Sequence, residues 1–269
     1  MVDFSKEKLD ILIQGGQSNA EGCGLGAVAQ EYLPCPDVLY LNAPKNVNVI
    51  EVEGSTILDI KYFDEPFEIT PADYRLVNGE KCGDFALSFA KKYVESGCLM
   101  AGRKLLIIRA GIGGTGFQKG HWGMQDPVYL KMMEMIAYAL SLNSENKIVG
   151  FFWQQGEHDA FEGNPPENYH KQMNALLGSV REQFGENIPF ITADFVSDWK
   201  SKNFGICQPI VNVLRQVVKE NPLSAFVKTE DLLSNDQMNK NGDDIHFCRE
   251  SLRILGLRYF DEFIKLSAK

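Results

Sequence analysis

The chain has 269 residues, 44% of them hydrophobic and 23% charged, a composition that supports a sizeable globular core. Its net charge of −9 argues against nucleic acid and anionic membrane surfaces as partners. No apolar run approaches the ~20 residues of a membrane-crossing helix, and the opening Met-Val-Asp-Phe-Ser-Lys-Glu-Lys lacks the form of a signal peptide, so the expected location is the cytoplasm.

The first apolar run, Leu9-Asp10-Ile11-Leu12-Ile13, predicts a buried strand that stops in Gly15-Gly16-Gln17-Ser18-Asn19-Ala20-Glu21-Gly22. Val38–Leu41 predicts a second strand. Residues 43–82 break the pattern: β-like pieces at Val47–Val52 and Glu68–Thr70 lie among Pro44, Gly54, Pro66, Pro71 and Gly79, an excursion at one end of the sheet with room for a small hairpin. A helix over Asp84–Ser96 follows, then a strand over Lys104–Arg109. The next helix, over Asp126–Leu142, opens on Asp-Pro with Pro127 at its first position. Strands at Lys147–Trp153 and Pro189–Phe195 and helices at Asn168–Phe184, Gln208–Glu220 and Glu250–Leu266 complete the chain. The five strands are continuous apolar runs, as expected of strands covered on both faces. Alternation with helices predicts a three-layer α/β/α sandwich around a central, mainly parallel sheet of about five strands. With no linker or repeat, residues 1–269 read as one domain.

In parallel sheets, ligands sit at the carboxyl ends of strands, so the glycine-rich turns after the first, third and fourth strands converge on one rim. The first carries Gly16-Gln17-Ser18-Asn19. Position 20 is Ala, so this is not the Gly-x-Ser-x-Gly elbow. Ser18 is either a helix N-cap or an activated hydroxyl. The second is Ala110-Gly111-Ile112-Gly113-Gly114-Thr115-Gly116. It satisfies the letter of a dinucleotide fingerprint, but the next helix waits until Asp126, which contradicts a nicotinamide-dependent oxidoreductase. Glycines here suit a different use, bare backbone N–H groups facing an oxyanion. The third is Trp153-Gln154-Gln155-Gly156-Glu157-His158-Asp159, where a side-chain amide can serve the same oxyanion and Glu157 and Asp159 hold loops.

Near the end of the chain stands Asp243-Asp244-Ile245-His246. Of four histidines, His246 alone has an acid at a useful spacing. Histidine is the usual base for an activated serine, and a carboxylate fixes its tautomer. A capped helix start explains the same four residues equally well. His158 and Asp159 lack a second cluster to complete a metal site, and the six scattered cysteines contain no Cys-x-x-Cys pair, so no metal is assigned.

In combination and order, Gly16-Gln17-Ser18-Asn19, Gly113-Gly114-Thr115, Trp153-x-Gln155-Gly156-Glu157-x-Asp159 and Asp243-x-x-His246 resemble the SGNH-hydrolase superfamily. The closer resemblance is to carbohydrate esterases of the sialate O-acetylesterase and acetylxylan-esterase type (carbohydrate esterase family 6 and its relatives), from about residue 9 to residue 260. The resemblance implies a flavodoxin-like sheet, Ser18 as nucleophile, His246 as base and Asp243 as its orienting acid. It implies an oxyanion hole from the Ser18 N–H, the N–H of Gly114 or Gly113, and the Gln155 amide. Gln17, Asn19, Glu157 and Asp159 take supporting places. His121 and Trp122, in the loop after the third strand, are candidate substrate contacts, and Phe117, Trp122 and Trp199 are candidates for a sugar-stacking rim. The implied reaction removes an O-acetyl group from a small or oligosaccharide ester through an acyl-enzyme, with no cofactor. The alternative within the superfamily is an esterase or thioesterase acting on a non-carbohydrate acyl group.

Overall fold

The computed structural model describes residues 4–28, 35–52, 55–73, 75–77 and 80–268. The chain enters through β1 (Lys8–Gly16), whose residues from Leu9 onward are all buried, and turns into the single-turn helix α1 (Ser18–Glu21). β2 (Val38–Asn42) is followed by a hairpin of β3 (Lys45–Val52) and β4 (Ser55–Tyr62), then by β5 (Glu68–Pro71) and the short pair β6 (Arg75–Val77) and β7 (Glu80–Cys82). Helix α2 (Phe85–Glu95) leads to β8 (Arg103–Arg109), α3 (Pro127–Ser141), β9 (Lys147–Gln154) and the short α4 (Glu157–Phe161). After α5 (Pro166–Phe184) come β10 (Phe190–Ala193), α6 (Ser197–Lys202), α7 (Phe204–Glu220), β11 (Ser224–Val227), α8 (Asn235–Asn239) and α9 (Arg249–Ser267).

Among the described residues, seven strands form the main sheet in the order β11-β10-β9-β1-β8-β2-β5, all parallel except β5, which runs antiparallel to β2. Within it, β8-β1-β9-β10-β11 has the 2-1-3-4-5 order of the flavodoxin-like fold. The expected five strands are all present, and two more join them. β11 is a four-residue strand, too short to stand out as an apolar run. β5 is the Glu68–Thr70 piece recruited to the sheet edge with mostly exposed side chains. The hairpin expected in the excursion is β3–β4; Gly54 and Gly79, read as breakers there, lie outside the described residues.

Side chains alternate across β9 as a strand requires. Phe152 packs between Phe89, with ring centroids 4.6 Å apart, and Tyr259, at 4.9 Å, on the face covered by α2 and α9. Trp153 points the other way, with Trp122 edge-on at 4.9 Å. On that second face the helices are stitched by polar bonds, Tyr129 to Ser179 between α3 and α5 and Asn221 to Asn174 where α7 meets α5. α2 starts where expected because the Asp84 carboxylate accepts the Leu87 N–H at 2.7 Å, while its other oxygen accepts the Tyr40 hydroxyl.

The approach of α9 to α2 depends on Gly256. A Cβ there would stand 2.2 Å from the Phe85 carbonyl oxygen and 2.8 Å from Ser88 Cβ, and neither backbone nor a buried helix face yields cheaply. Gly256→Ala should therefore destabilise the fold by about 2 kcal/mol or more through overpacking. A urea midpoint equal to that of the parent would show that the two helices separate without cost.

Candidate functional site

Three turns meet at the rim because β8, β1 and β9 are adjacent and parallel. β1 ends at Gly16 with φ +130°, where a Cβ would stand 2.2 Å from the Gln154 carbonyl oxygen, so only glycine lets the two strand ends close up. Gln17 then joins the turns. Its N–H donates to the Gln154 carbonyl at 3.0 Å, and its Oε1 accepts from the His158 N–H at 3.1 Å. Gln17, not Ser18, occupies the N-cap position of α1 and makes no side-chain cap bond. Ser18 opens the helix, so its own N–H has no acceptor one turn back. It lines a cavity of about 560 Å³ together with Gln17, Glu21, Cys23, Gly113, Gly114, Glu157, His158, Phe161, Trp199, Asp244, Ile245 and His246.

His246 reaches this cavity from the loop between α8 and α9. Its Nδ1 lies 2.8 Å from Asp243 Oδ1 and 3.0 Å from Oδ2. A carboxylate only accepts, so the proton sits on Nδ1 and the lone pair on Nε2. Asp243 is not a helix cap, since α9 begins after Cys248. Its Oδ2 also accepts from Asn235 at 2.8 Å, and α8, which carries Asn235, is fixed by a capping box between Ser234 and Gln237. Burial pushes the Asp243 carboxyl up, but the hydrogen bonds from His246 and Asn235 outweigh it and hold it below the usual range. Asp244 turns away to Lys202 at 2.9 Å. Among the described residues no hydrogen bond joins Ser18 to His246; they share the cavity wall.

The backbone donors separate on closer view. Gly113 N–H donates to Glu21 Oε2 at 2.8 Å and is already taken. Gly114, at φ +72°, has no acceptor for its N–H among the described residues, and Leu58 of β4 stands over it, 3.0 Å from where a Cβ would be. Gln155 departs from expectation. Its Nε2 donates to Asp159 Oδ2 at 2.6 Å and to the Thr115 carbonyl at 3.3 Å, and its Oε1 accepts from Tyr169. With both amide hydrogens committed, Gln155 presents no donor to the cavity. Asp159, one helical turn away, captures it and also accepts from Phe117 N–H, Gln118 N–H and Asn164.

His121 and Trp122 are not substrate contacts in this structure. Trp122 is fully buried, with its indole N–H on Thr115 Oγ1 at 2.9 Å, and His121 Nδ1 lies 3.2 Å from the Gly116 carbonyl oxygen inside its own loop. Phe117 is buried against Trp153 and Tyr169, so of the proposed stacking aromatics only Trp199 lines the cavity. Two lining residues carry no signal in the motifs: Phe161, 73% exposed, and Glu21, three residues after Ser18 and therefore on the same side of a helical turn. A larger cavity of about 910 Å³ beside β5, walled by Phe4, Phe67, Ile69, Tyr138 and Leu142, holds none of the candidate residues.

Glu157 lines the cavity, and the fully buried Asn19 lies behind it. The Asn19 amide donates to Glu157 Oε1 at 2.9 Å and to the Ile245 carbonyl at 3.1 Å, and its oxygen accepts the Phe247 N–H at 3.1 Å. It thus grips the backbone on both sides of His246. Glu157 is fully buried, and among the described residues its second oxygen has no hydrogen-bond partner. Burial raises its pKa, against the opposing pull of the Asn19 hydrogen bond. The folded state therefore keeps this proton to higher pH than the unfolded chain. The associated stability is present below the ordinary glutamate value and is lost as pH rises through the raised one. Glu157→Gln keeps an acceptor for Asn19 and removes the titration. Its melting temperature relative to the parent should rise as pH increases from about 4 to 7. A difference independent of pH would contradict the assignment.

Residues 8–265 match the family described as carbohydrate esterase, sialic acid-specific acetylesterase. No curated protein matches the sequence. Among solved structures, NanS superposes with a TM-score of 0.75 at 17% identity, covering 100% of this chain and 99% of its own. A protein from Arabidopsis thaliana gives 0.66 at 18% identity, covering 95% and 98%. A carbohydrate acetylesterase from Xanthomonas citri gives 0.59 at 16% identity, covering 94% of this chain and 55% of that one. At these identities the structures speak for the shared fold, and the family match speaks for the chemistry. The chain belongs to the sialic acid-specific acetylesterase family of carbohydrate esterases and is a carboxylic ester hydrolase.

Proposed function

We propose that the protein removes O-acetyl groups from a carbohydrate ester by a Ser18–His246–Asp243 triad. The observation that carries this reading is the 2.8 Å bond from His246 Nδ1 to Asp243, on the wall of the cavity that also holds Ser18. That bond leaves the Nε2 lone pair as the base. His246 takes the Ser18 proton as Oγ attacks the acetyl carbonyl, and Asp243 stabilises the imidazolium that forms. The tetrahedral oxyanion forms against the N–H groups of Ser18 and Gly114, each worth roughly 3 kcal/mol in the transition state. His246 returns the proton to the departing sugar hydroxyl. Water, deprotonated by the same imidazole, then releases acetate from Ser18. Gln17, Asn19 and Asp159 take no proton in this scheme; they hold the three turns and the His246 backbone in place.

Ser18→Ala should abolish acetate release from acetylated sugars and xylan fragments while leaving the circular dichroism spectrum unchanged. A fluorophosphonate probe should label the parent at Ser18, and labelling elsewhere with activity retained in Ser18→Ala would sink the scheme. The two neighbouring acids separate a second way. Asp243→Asn should lower kcat by roughly 10³-fold or more, because the imidazole loses its tautomer control. Asp244→Asn, which frees only Lys202, should lower it far less. The reverse ranking in purified, folded variants would show that the orienting acid is Asp244.

A further inference from the structure

We infer, resting on the triad reading, that Asn235 is a positioning residue for the reaction: its side-chain amide sets the orienting acid Asp243 against His246 and ties it to the segment that follows Ser18. Asn235 opens α8 and is fully buried. Its Nδ2 donates to Asp243 Oδ2 at 2.8 Å and to the Cys23 carbonyl at 2.9 Å, and its Oδ1 accepts the Leu25 N–H at 2.8 Å. These partners leave the amide one orientation. A carboxylate and a carbonyl only accept, and a backbone N–H only donates, so a flipped side chain would lose all three bonds. The Asn235 backbone N–H donates to the His246 carbonyl at 2.8 Å, and the Asp236 N–H donates to the Asp243 carbonyl at 2.8 Å. The start of α8 thus bonds the main chain of both acid and base, and the Asn235 amide bonds the acid's side chain.

What the amide supplies is the carboxylate's direction. The Asp243 side chain is 27% exposed, so its own burial does not fix it. With Oδ2 held by Asn235, Oδ1 stays turned to the imidazole Nδ1 at 2.8 Å and to the His246 N–H at 3.3 Å. The same bond helps to keep Asp243 ionised against burial, as a group that stabilises an imidazolium must be. The clamp has its own footing, because Asp236 Oδ1 accepts the Gly242 N–H at 2.8 Å and closes the loop between α8 and Asp243. At its other end the amide reaches 212 residues back to Cys23, on the chain leaving the helix that Ser18 opens. Asn235 is not part of the cavity wall that carries Ser18 and His246, so it acts on the reaction through Asp243.

The test is a double-mutant cycle with Asp243→Ala, read as kcat and KM on 4-nitrophenyl acetate per folded molecule, the folded fraction taken from circular dichroism. Asn235→Ala removes the amide. Asn235→Asp keeps an acceptor for the Leu25 N–H, withdraws the hydrogen from Asp243 and sets like charge beside it. In the parent background either change should lower kcat by about tenfold or more with KM held within about twofold, since the amide matters only as the imidazolium forms. In the Asp243→Ala background the same change should lower kcat by less than about twofold, because the group it positions is gone. A merely structural role would lower kcat by the same factor in both backgrounds, or would lower the melting temperature alone, and either result overturns the proposal. If Asn235→Ala does not fold, Asn235→Asp carries the same cycle. A kcat near the parent's in Asp243→Ala by itself overturns the triad reading instead, so the two failures are distinct.

Discussion

The site hangs on one buried amide. Asn19 donates to the Glu157 carboxyl after β9 and to the Ile245 carbonyl, and it accepts from the Phe247 N–H, so three segments remote in sequence close on a single side chain. Nothing in the sheet itself places His246. The sheet aligns the turns after β1, β8 and β9, but the histidine arrives on a loop, and a loop needs its backbone groups satisfied to hold one position. Removing the amide would strand a donor, a carbonyl and a carboxyl in a space closed to water, each at a cost of about 1–3 kcal/mol. Neither the imidazole nor its acid needs to be strained into place, because the backbone on both sides is already fixed.

A second hub does for the neighbouring turns what Asn19 does for the histidine. Asp159 receives two backbone N–H groups of the glycine-rich loop, the Gln155 amide and Asn164. This explains how a loop with so many glycines holds a single shape, which a donor aimed at a developing charge requires. It also explains why the polar motif after β9 is so dense: most of its groups bond one another, and only Glu157 and His158 come up to the cavity. The acidic residues around Ser18 thus divide into those that build the site and those that face its contents.

Much of this was legible in the chain. Ser18 follows from a buried strand ending in glycines, and Asp243 with His246 from a three-residue spacing that a turn converts into a 2.8 Å bond. Both are local patterns, and local geometry is what a sequence states most directly. The choice between Gly113 and Gly114 was not legible, because it turns on Glu21, 92 residues away from Gly113, taking one N–H and leaving the next. Gln155 looked like a donor because its strand points to the rim; that its amide is claimed by Asp159 is a fact of side-chain packing. Trp122 reads as a candidate substrate contact because it sits in the glycine-rich loop, yet that loop folds inward and buries it on Trp153. β11 escaped notice because four residues on a sheet flank are held by their neighbour β10 and not by any pattern of their own.

If Ser18 and His246 act together as proposed, the separation between their turn and loop has a consequence for how activity arises in time. The bond from Phe247 to Asn19 spans 228 residues, among the longest-range contacts in the molecule. Contacts of that reach form late, because the loop they close is expensive until the intervening structure has shortened it. During synthesis the serine turn can be built on its strand long before any imidazole exists to activate it. A partly made or clipped chain that has lost the final loop would carry a hydroxyl no more reactive than any other serine. On the proposed triad the hydrolase is in this sense silent until the His246 loop docks, and each active molecule is one that has completed its fold.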